Sequence, residues 1–243
     1  MTSPYWPTPP QLTWAQTYSF AVRIDMSLMT DEHVSQLTVE LPQALEHAVL
    51  SRRAEYTIGR FCAARALRQA SSSETHVLFR GDRSPGWPAG YVGSITHAAG
   101  YVQAIVAPES RFRGIGIDCE QLISADRADQ IHHMVLLGDE HTILSALGTE
   151  LGLTLIFSAK ESIYKCLRPL VGRFFEFKDA EVKLLDPSTH SFEFVLKQDL
   201  NEEFRAGYTG CGIFKVVADK VFTGLALPIG VTGPPPCLRY SMV

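Results

Sequence analysis

Two carboxylates separated by one residue end an apolar, glycine-containing stretch of the chain. Asp118 and Glu120 close the run Gly114–Glu120, which reads GIGIDCE. Side chains two positions apart on a β-strand leave the same face, so we expect both carboxylates to point into one space. Alternating acids usually mark only a solvent-exposed face, but acids at the end of an interior strand are costly unless paired or metal-bound. The pair is therefore a candidate cation site.

A second acidic pattern follows in the run Phe157–Lys165, which reads FSAKESIYK. Its spacing predicts a helix, on which Glu161 and Lys165 share one face. Such a pair alone is typical of an exposed helix surface, but Lys160 beside it, after an apolar run, favours a site. Mg²⁺ sites that handle phosphate combine a few carboxylates with retained waters and substrate oxygens. Together the two patterns predict a magnesium-dependent transfer of a phosphate-linked group.

Groups that could bind phosphate lie upstream of both patterns. Ser94, Thr96 and His97 belong to the sequence GSITH at a predicted strand end, where hydroxyls and an imidazole can donate to phosphate. A capped turn histidine is the competing interpretation. Arg83 lies in a loop rich in proline and glycine and carries a guanidinium suited to bidentate contacts. Arg60 lies in a predicted helix, where a lone arginine is usually a surface residue.

Composition and charge narrow the function classes. The 243 residues carry a net charge of −4, which argues against a strongly basic nucleic-acid binder. Residues 52–83 nevertheless hold seven arginines against three acids, a balance that suits a compact polyanionic ligand. Neither a Walker-type phosphate loop nor a complete dinucleotide fingerprint is present in the sequence.

The cysteines and the apolar runs predict the compartment. The five cysteines are odd in number and scattered without a CxxC pair, which argues against a disulfide framework or zinc site and fits a reducing compartment. No signal peptide is evident, and no stretch reaches the roughly 18 apolar residues that a membrane span needs. The sequence predicts a cytoplasmic protein without a membrane span.

Periodicity predicts an α+β fold. The order of helix followed by antiparallel strands occurs twice, which predicts two similar α/β lobes, 1–124 and 125–243, with a loosely ordered tail from about 228. In this division Asp118 and Glu120 end the first lobe, while Glu161 and Lys165 lie in the second. The predicted helices are 44–70, 139–147 and 154–167; the predicted strands are 18–24, 76–79, 91–95, 101–107, 114–119, 181–185, 191–196, 212–217 and 221–226.

The combined motifs resemble the 4′-phosphopantetheinyl transferase superfamily, in particular its Sfp-like, enterobactin synthetase component D type. The resemblance rests on GIGID-x-E, FSAKES-x-x-K, the upstream GSITH and the arginine loop that ends in Trp87-Pro88, and it covers roughly residues 52–168. Phe157 stands where many members carry tryptophan, and Thr96 where many carry serine. The chain's length is similar to that of the monomeric members whose two lobes form a pseudo-dimer.

The resemblance implies an activity and a ligand. Members move the phosphopantetheine arm of coenzyme A onto a serine of an acyl, peptidyl or aryl carrier protein, as holo-[acyl-carrier-protein] synthases do, and release adenosine 3′,5′-bisphosphate. The pathways served by such carriers include fatty acid, siderophore and nonribosomal peptide biosynthesis. The cofactor is Mg²⁺, with Mn²⁺ as a substitute, and the active site lies between the lobes.

The resemblance also implies residue roles. Asp118, Glu120 and Glu161 would hold the metal, and Glu161 and Lys165 would be catalytic. The coenzyme A contacts would come from Arg60, Arg83, Ser94, Thr96, His97, Lys160 and Lys165. The alternatives are another Mg²⁺-dependent phosphotransferase or phosphohydrolase, and a coenzyme A-binding regulatory protein without catalysis.

Overall fold

The backbone of this protein divides into two compact units. The computed structural model describes residues 5–6, 10–82, 84–231 and 240–242. One unit contains the residues up to Glu109 together with those from Ser241, and the other is Ser110–Tyr240. Each unit has an antiparallel sheet with helices against it, so the predicted α+β class is confirmed. The pseudo-dimer relation of the two units stays a prediction.

The division lies earlier in the chain than the predicted boundary at 124/125. The strand Phe112–Gln121 pairs with Lys220–Pro228 along its length, with Asp118 opposite Thr223 and Glu120 opposite Val221. These hydrogen bonds place the strand in the second unit. Asp118 and Glu120 therefore share a unit with Glu161 and Lys165, and the prediction that they end the first lobe is wrong.

The first unit contains a sheet covered by one long helix. Among the described residues, the sheet has the order β1-β3-β7-β6. The helix Leu50–Gln69 places apolar side chains against this sheet at four-residue steps, and Ala54, Ile58, Cys62 and Ala66 are fully buried there. The elements are β1 (Tyr5–Trp6), β2 (Leu12–Trp14), β3 (Tyr18–Ile24), α1 (Asp31–Gln36), α2 (Leu50–Gln69), β4 (Leu78–Phe79), β5 (Pro85–Gly86), β6 (Tyr91–Ala98) and β7 (Tyr101–Pro108).

The second unit positions both acidic patterns. Its sheet has the order β8-β12-β11-β10-β9 in the described part of the chain, and α5 packs on β8 and β12. The elements of this unit are β8 (Phe112–Gln121), α3 (Ala125–Val135), α4 (Glu140–Leu147), α5 (Thr149–Val171), β9 (Ala180–Asp186), β10 (Ser191–Leu196), β11 (Thr209–Val217) and β12 (Lys220–Pro228). The last strand, β13 (Tyr240–Met242), belongs to the first unit from Ser241 onward.

Helix α5 is longer than predicted because Pro169 does not end it. Pro169 leaves the carbonyl of Lys165 without its helical N–H partner, but the helix nevertheless continues to Val171. The helix ends at Gly172, which has a left-handed backbone (φ 76°) and donates its N–H to the carbonyl of Arg168. This C-terminal glycine is an ordinary helix stop, and it leaves a continuous helix through Glu161 and Lys165.

Two glycines let α5 lie directly on β8. Gly114 and Gly116 share a face of the strand with Asp118 and Glu120, because all four follow at two-residue steps. A Cβ at Gly116 would overlap the backbone oxygen of Ser162, and one at Gly114 would lie 2.8 Å from the backbone oxygen of Cys166. The GIGID pattern thus combines close helix-to-strand packing with carboxylates on the same face.

The structure bears on three further sequence expectations: the state of the cysteines, the order of the C-terminal tail and the absence of a membrane span. Cys62, Cys119 and Cys166 are free and buried, whereas Cys211 is disulfide-bonded, a single bond that the argument against a disulfide framework did not foresee. The predicted loose tail from about 228 falls mainly on 232–239, outside the described residues, whereas β13 pairs with β2. Within the described residues, no helix is both long enough and apolar enough to cross a membrane.

The glycine packing predicts a sharp effect of one methyl group. We expect Gly116→Ala to lower the free energy of unfolding by at least about 2 kcal/mol, because the new methyl meets backbone that side-chain rotation cannot move. Gly138→Ala is the matched control, since nothing lies within 4 Å of its Cβ position. Urea denaturation of both variants measures the difference, and equal stability would contradict the packing argument.

Candidate active site

Asp118, near the end of β8, is bonded by two side chains of α5. The ammonium of Lys165 donates to its Oδ1 over 2.6 Å, and the hydroxyl of Ser158 donates to its Oδ2 over 2.8 Å. Asp118 is 3% exposed, whereas 26% of the Lys165 side chain remains accessible. The strand and the helix thus meet at a buried carboxylate with a cation that a ligand can still reach.

Glu120 and Glu161 complete the cluster electrostatically. Burial, followed by repulsion from Asp118, raises the pKa of Glu120 to about 8; Glu161 adds to this rise and Lys165 opposes it. Burial also raises the pKa of Glu161, with a further rise from Asp118. A carboxyl with a pKa near 8 is mostly protonated at pH 7. The raised pKa values show that one lysine does not balance all of the cluster's carboxylates when they are ionised.

Lys165 responds to the same crowding with the opposite sign. Burial lowers the pKa of its ammonium, but attraction to Asp118 and Glu161 outweighs that effect, so the pKa is raised. Lys165 is consequently a permanent positive charge at any physiological pH. The predicted meeting of the GIGID-x-E and FSAKES-x-x-K patterns is present in the structure.

The carboxylate oxygens of the cluster are suitable ligands for a hard divalent cation, although they are not arranged in a complete coordination shell. In the part of the chain that the structure describes, no group of three or more His, Cys, Asp or Glu side chains is placed to hold a metal ion. Asp118 is occupied by Lys165 and Ser158 instead. Oxygen-only donors and uncompensated negative charge nevertheless suit Mg²⁺, which takes few protein ligands and keeps waters and substrate oxygens.

Lys160 does not join this cluster. Its ammonium donates to the Oε2 atom of Glu140 over 2.8 Å and to the carbonyl of Val135 over 2.7 Å, and its side chain is 1% exposed. Consecutive helix positions point about 100° apart, so Lys160 and Glu161 leave α5 in different directions. The structure thus gives Lys160 a buried structural contact in place of the predicted coenzyme A contact.

The predicted nucleotide-binding residues that are described all lie in the first unit. Arg60 lies on α2 with its guanidinium 4.8 Å from the centre of the Tyr56 ring, and it donates to the carbonyl of Leu78 over 3.4 Å. Its Nε atom is buried without a hydrogen-bond partner among the described residues, and burial lowers its pKa. Arg60 is thus a largely buried cation, not the solvated arginine typical of a helix surface. Arg83 lies outside the described residues.

The GSITH residues separate onto two faces of β6. Ser94 and Thr96 are 3% and 2% exposed and lie on one face, while His97 leaves the other. The imidazole Nδ1 atom of His97 lies 3.7 Å from the carboxylate of Glu55 on α2. The strand continues through Ala98, so the expectation of three donors together at a strand end is wrong; His97 alone is near the turn.

Comparison with known proteins decides the family. A model of the 4′-phosphopantetheinyl transferase N-terminal domain matches residues 41–107, and a model of the 4′-phosphopantetheinyl transferase superfamily matches residues 114–211. Together the matches cover more than half of the chain. The chain belongs to the 4′-phosphopantetheinyl transferase superfamily. The predicted resemblance is confirmed, and the second match contains the whole Asp118 cluster.

Individual curated proteins are similar to this chain over shorter stretches. The 4′-phosphopantetheinyl transferase Npt of Nocardia iowensis is 37% identical over 56% of this chain and 60% of its own length. Enterobactin synthase component D of Salmonella typhimurium is 42% identical over 50% of each chain. The 4′-phosphopantetheinyl transferase PptT of Mycobacterium tuberculosis is 34% identical over 60% of this chain and 64% of its own. The chain therefore matches between half and two thirds of each relative's length.

Sequence patterns alone did not single out Ser158 and Thr223, which support the cluster, or Glu140, which pairs with Lys160. Ser158 is part of the FSAKES run, and a hydroxyl one turn before a predicted helical site could have suggested a supporting donor. Thr223 lies opposite Asp118 on β12, a register that only the folded sheet defines. Nothing in the sequence indicated Glu140, because glutamates are usually exposed, whereas this side chain is fully buried.

The buried pair of Lys160 and Glu140 allows a test of whether Lys160 stabilises the fold. We expect Lys160→Met to lower the free energy of unfolding by about 3–5 kcal/mol, because it leaves the buried Glu140 without its countercharge. Lys183→Met removes a partly exposed lysine that is 3.2 Å from Asp139 and 2.9 Å from Glu181. Because Glu181 keeps Lys197 at 3.0 Å, this change should cost at most about 1 kcal/mol. Thermal and urea unfolding measure both; similar losses would contradict the structural role of Lys160.

Proposed function

We propose that this transferase moves the 4′-phosphopantetheine arm of coenzyme A onto a serine of an apo carrier protein and releases adenosine 3′,5′-bisphosphate. The single observation that carries the proposal is the contact of Lys165 with Asp118 at 2.6 Å, beside Glu120 and Glu161, in a chain of this superfamily. A pyrophosphate substrate carries negative charge, and the cluster offers both a cation and ligands for another.

The transfer needs charge neutralisation more than covalent help. The serine oxygen forms a bond to the phosphorus nearer pantetheine, and the bond from that phosphorus to the bridging oxygen breaks, so the nucleotide leaves with the bridging oxygen. Bound Mg²⁺, held by Asp118, Glu120 and Glu161, would supply Lewis-acid stabilisation of this charge. Lys165 would place its positive charge at the leaving phosphate.

The serine proton needs an acceptor within hydrogen-bond reach. Glu161 is half-buried on the face of α5 that carries Lys165, and we assign the role to its carboxylate or to a water molecule that it holds. Its raised pKa, caused by burial, makes the carboxylate a stronger base than an exposed glutamate.

The nucleotide end would be bound by the first unit. Arg60, Arg83 and His97 are our candidates for the phosphates of coenzyme A, with Ser94 and Thr96 as a supporting strand. His97 lies beside Glu55, and its imidazole can donate a hydrogen bond to a phosphate. Monomeric state and cytoplasmic location are also part of the proposal.

The carrier is proposed by class only. The enterobactin synthase component of Salmonella is named for siderophore synthesis, and acyl, peptidyl and aryl carriers share the same modified serine. A panel of purified apo carriers with Mg²⁺ and coenzyme A, read by mass spectrometry, identifies the class that this enzyme accepts. Nucleotide turnover without a carrier mass shift would instead favour a phosphohydrolase.

The first catalytic prediction concerns Glu161. We expect Glu161→Gln to reduce transfer at least about 100-fold, because it removes both a metal ligand and the proton acceptor. Glu150→Gln changes the same side chain at an exposed position of the same helix and should leave the rate within about twofold. Unchanged transfer by Glu161→Gln would favour a coenzyme A-binding protein without catalysis.

The second prediction concerns the 3′-phosphate. We expect Arg83→Ala to weaken the binding of coenzyme A about tenfold and the binding of dephospho-coenzyme A hardly at all, because only the former carries the 3′-phosphate. Arg68→Ala removes an exposed arginine of α2 and serves as the charge-matched control. Calorimetry measures both ligands, and equal losses would remove Arg83 from this role.

A further inference from the structure

We propose that Ser158 and Thr223 are positioning residues, which act together as a hydroxyl pair that fixes the orientation of the Asp118 carboxylate toward Lys165 and the cation. The inference rests on the proposed function for its chemistry, but the contacts that carry it are independent of any ligand. Neither residue touches the reacting atoms; both act through Asp118.

The contacts form a closed chain between β8, α5 and β12. Ser158 donates to the Oδ2 atom of Asp118 over 2.8 Å, and its Oγ atom lies 2.9 Å from the Oγ1 atom of Thr223. Thr223 donates in turn to the backbone carbonyl of Ser158 over 2.8 Å. Three hydrogen-bond contacts thus join one carboxylate to two hydroxyls on different elements.

Each of the two hydroxyls has a single proton to donate, and this decides whether Thr223 orients Ser158 or the reverse. An ionised carboxylate only accepts, so the single hydroxyl proton of Ser158 is directed to Asp118. The hydroxyl proton of Thr223 is then shared between the Oγ atom and the backbone carbonyl of Ser158, which lie 2.9 Å and 2.8 Å from its Oγ1 atom. Thr223 holds the serine hydroxyl in place, and the serine hydroxyl holds the carboxylate. The order of action is Thr223, then Ser158, then Asp118.

Because these three side chains are buried, the loss of one hydrogen bond among them is costly. Ser158 and Thr223 are fully buried and Asp118 is 3% exposed, so water cannot easily replace a missing partner. The Asp carboxylate rotates broadly about its last torsion when nothing holds it. Fixing Oδ2 inside the protein keeps Oδ1 directed to Lys165, at the accessible end of the cluster.

Supporting residues of this kind affect metal binding measurably. Loss of a hydrogen-bond partner behind a metal ligand typically weakens metal affinity by about 10- to 100-fold. We therefore expect Ser158→Ala to weaken the affinity for Mn²⁺, in the presence of coenzyme A, by about tenfold or more. Thr223→Val should weaken it in the same direction, and Thr223→Ser, which keeps the hydroxyl, should restore it.

The experiment measures Mn²⁺ binding directly by electron paramagnetic resonance on the whole protein with coenzyme A. The set is the unaltered protein, Ser158→Ala, Thr223→Val, Thr223→Ser and the Ser158→Ala/Thr223→Val double variant. Because Thr223 acts through Ser158, the double variant should bind Mn²⁺ no more weakly than Ser158→Ala alone. Additive losses would overturn the proposed order.

A matched control separates orientation from simple stability. Thr154 is a buried hydroxyl one turn earlier on α5. Its hydrogen bonds within the described part of the chain go to two backbone groups, the N–H of Ile123 and the carbonyl of Glu150. Thr154→Val should lower the melting temperature, as the other variants do, but leave Mn²⁺ affinity unchanged. If Thr154→Val weakens Mn²⁺ binding as much as Ser158→Ala, the pair has only a structural role and the inference fails.

The inference and the proposed function can fail separately. If the protein transfers phosphopantetheine and Ser158→Ala retains full Mn²⁺ affinity, the positioning role is overturned while the proposed function stands. If no carrier gains mass but Ser158→Ala still weakens Mn²⁺ binding tenfold, the proposed function is overturned while the positioning role stands.

Discussion

The second unit depends on the close contact between α5 and β8. Without side chains at Gly114 and Gly116, the helix backbone lies directly on the strand, and this distance allows Lys165 and Ser158 to reach one carboxylate. A larger residue at either glycine would lift the helix away from the strand and separate the charges that the proposed chemistry uses. Packing and electrostatics are therefore two consequences of one helix-to-strand distance.

A second buried ion pair ties the same helix to the rest of its unit. Glu140 accepts hydrogen bonds from Lys160, from the N–H of Leu137 and from the N–H of Val182. One carboxylate thus connects α4, α5 and β9. Adjacent residues of α5 have different roles. Lys160 binds the buried carboxylate of Glu140, and Glu161 faces the Asp118 cluster. These contacts fix the position of α5, so the face of the helix that carries Glu161 stays at a fixed distance from β8.

Much of the fold and the core of the site could be predicted from the sequence. The strands 18–24 and 191–196 match the structure, and both acidic patterns meet as their spacing and family resemblance indicated. The boundary at 124/125 was wrong because the pairing of β8 with β12 is a contact between distant residues that periodicity does not encode. Lys160 was misassigned because its partner Glu140 is separated from it along the chain, and Thr223 was missed for the same reason. Local pattern predicts elements and faces; it does not predict which distant side chain lies opposite.

The two-residue period of β8 has a consequence for how this strand can change. Its glycines and its acids must all point to the same side of the sheet, so the strand can exchange side chains more safely than it can change in length. One residue inserted between Gly116 and Asp118 would turn both acids to the opposite side of the sheet while the glycines stayed beneath α5. Over evolutionary time, insertions in this unit should therefore collect in the loops around β8 and spare the strand itself.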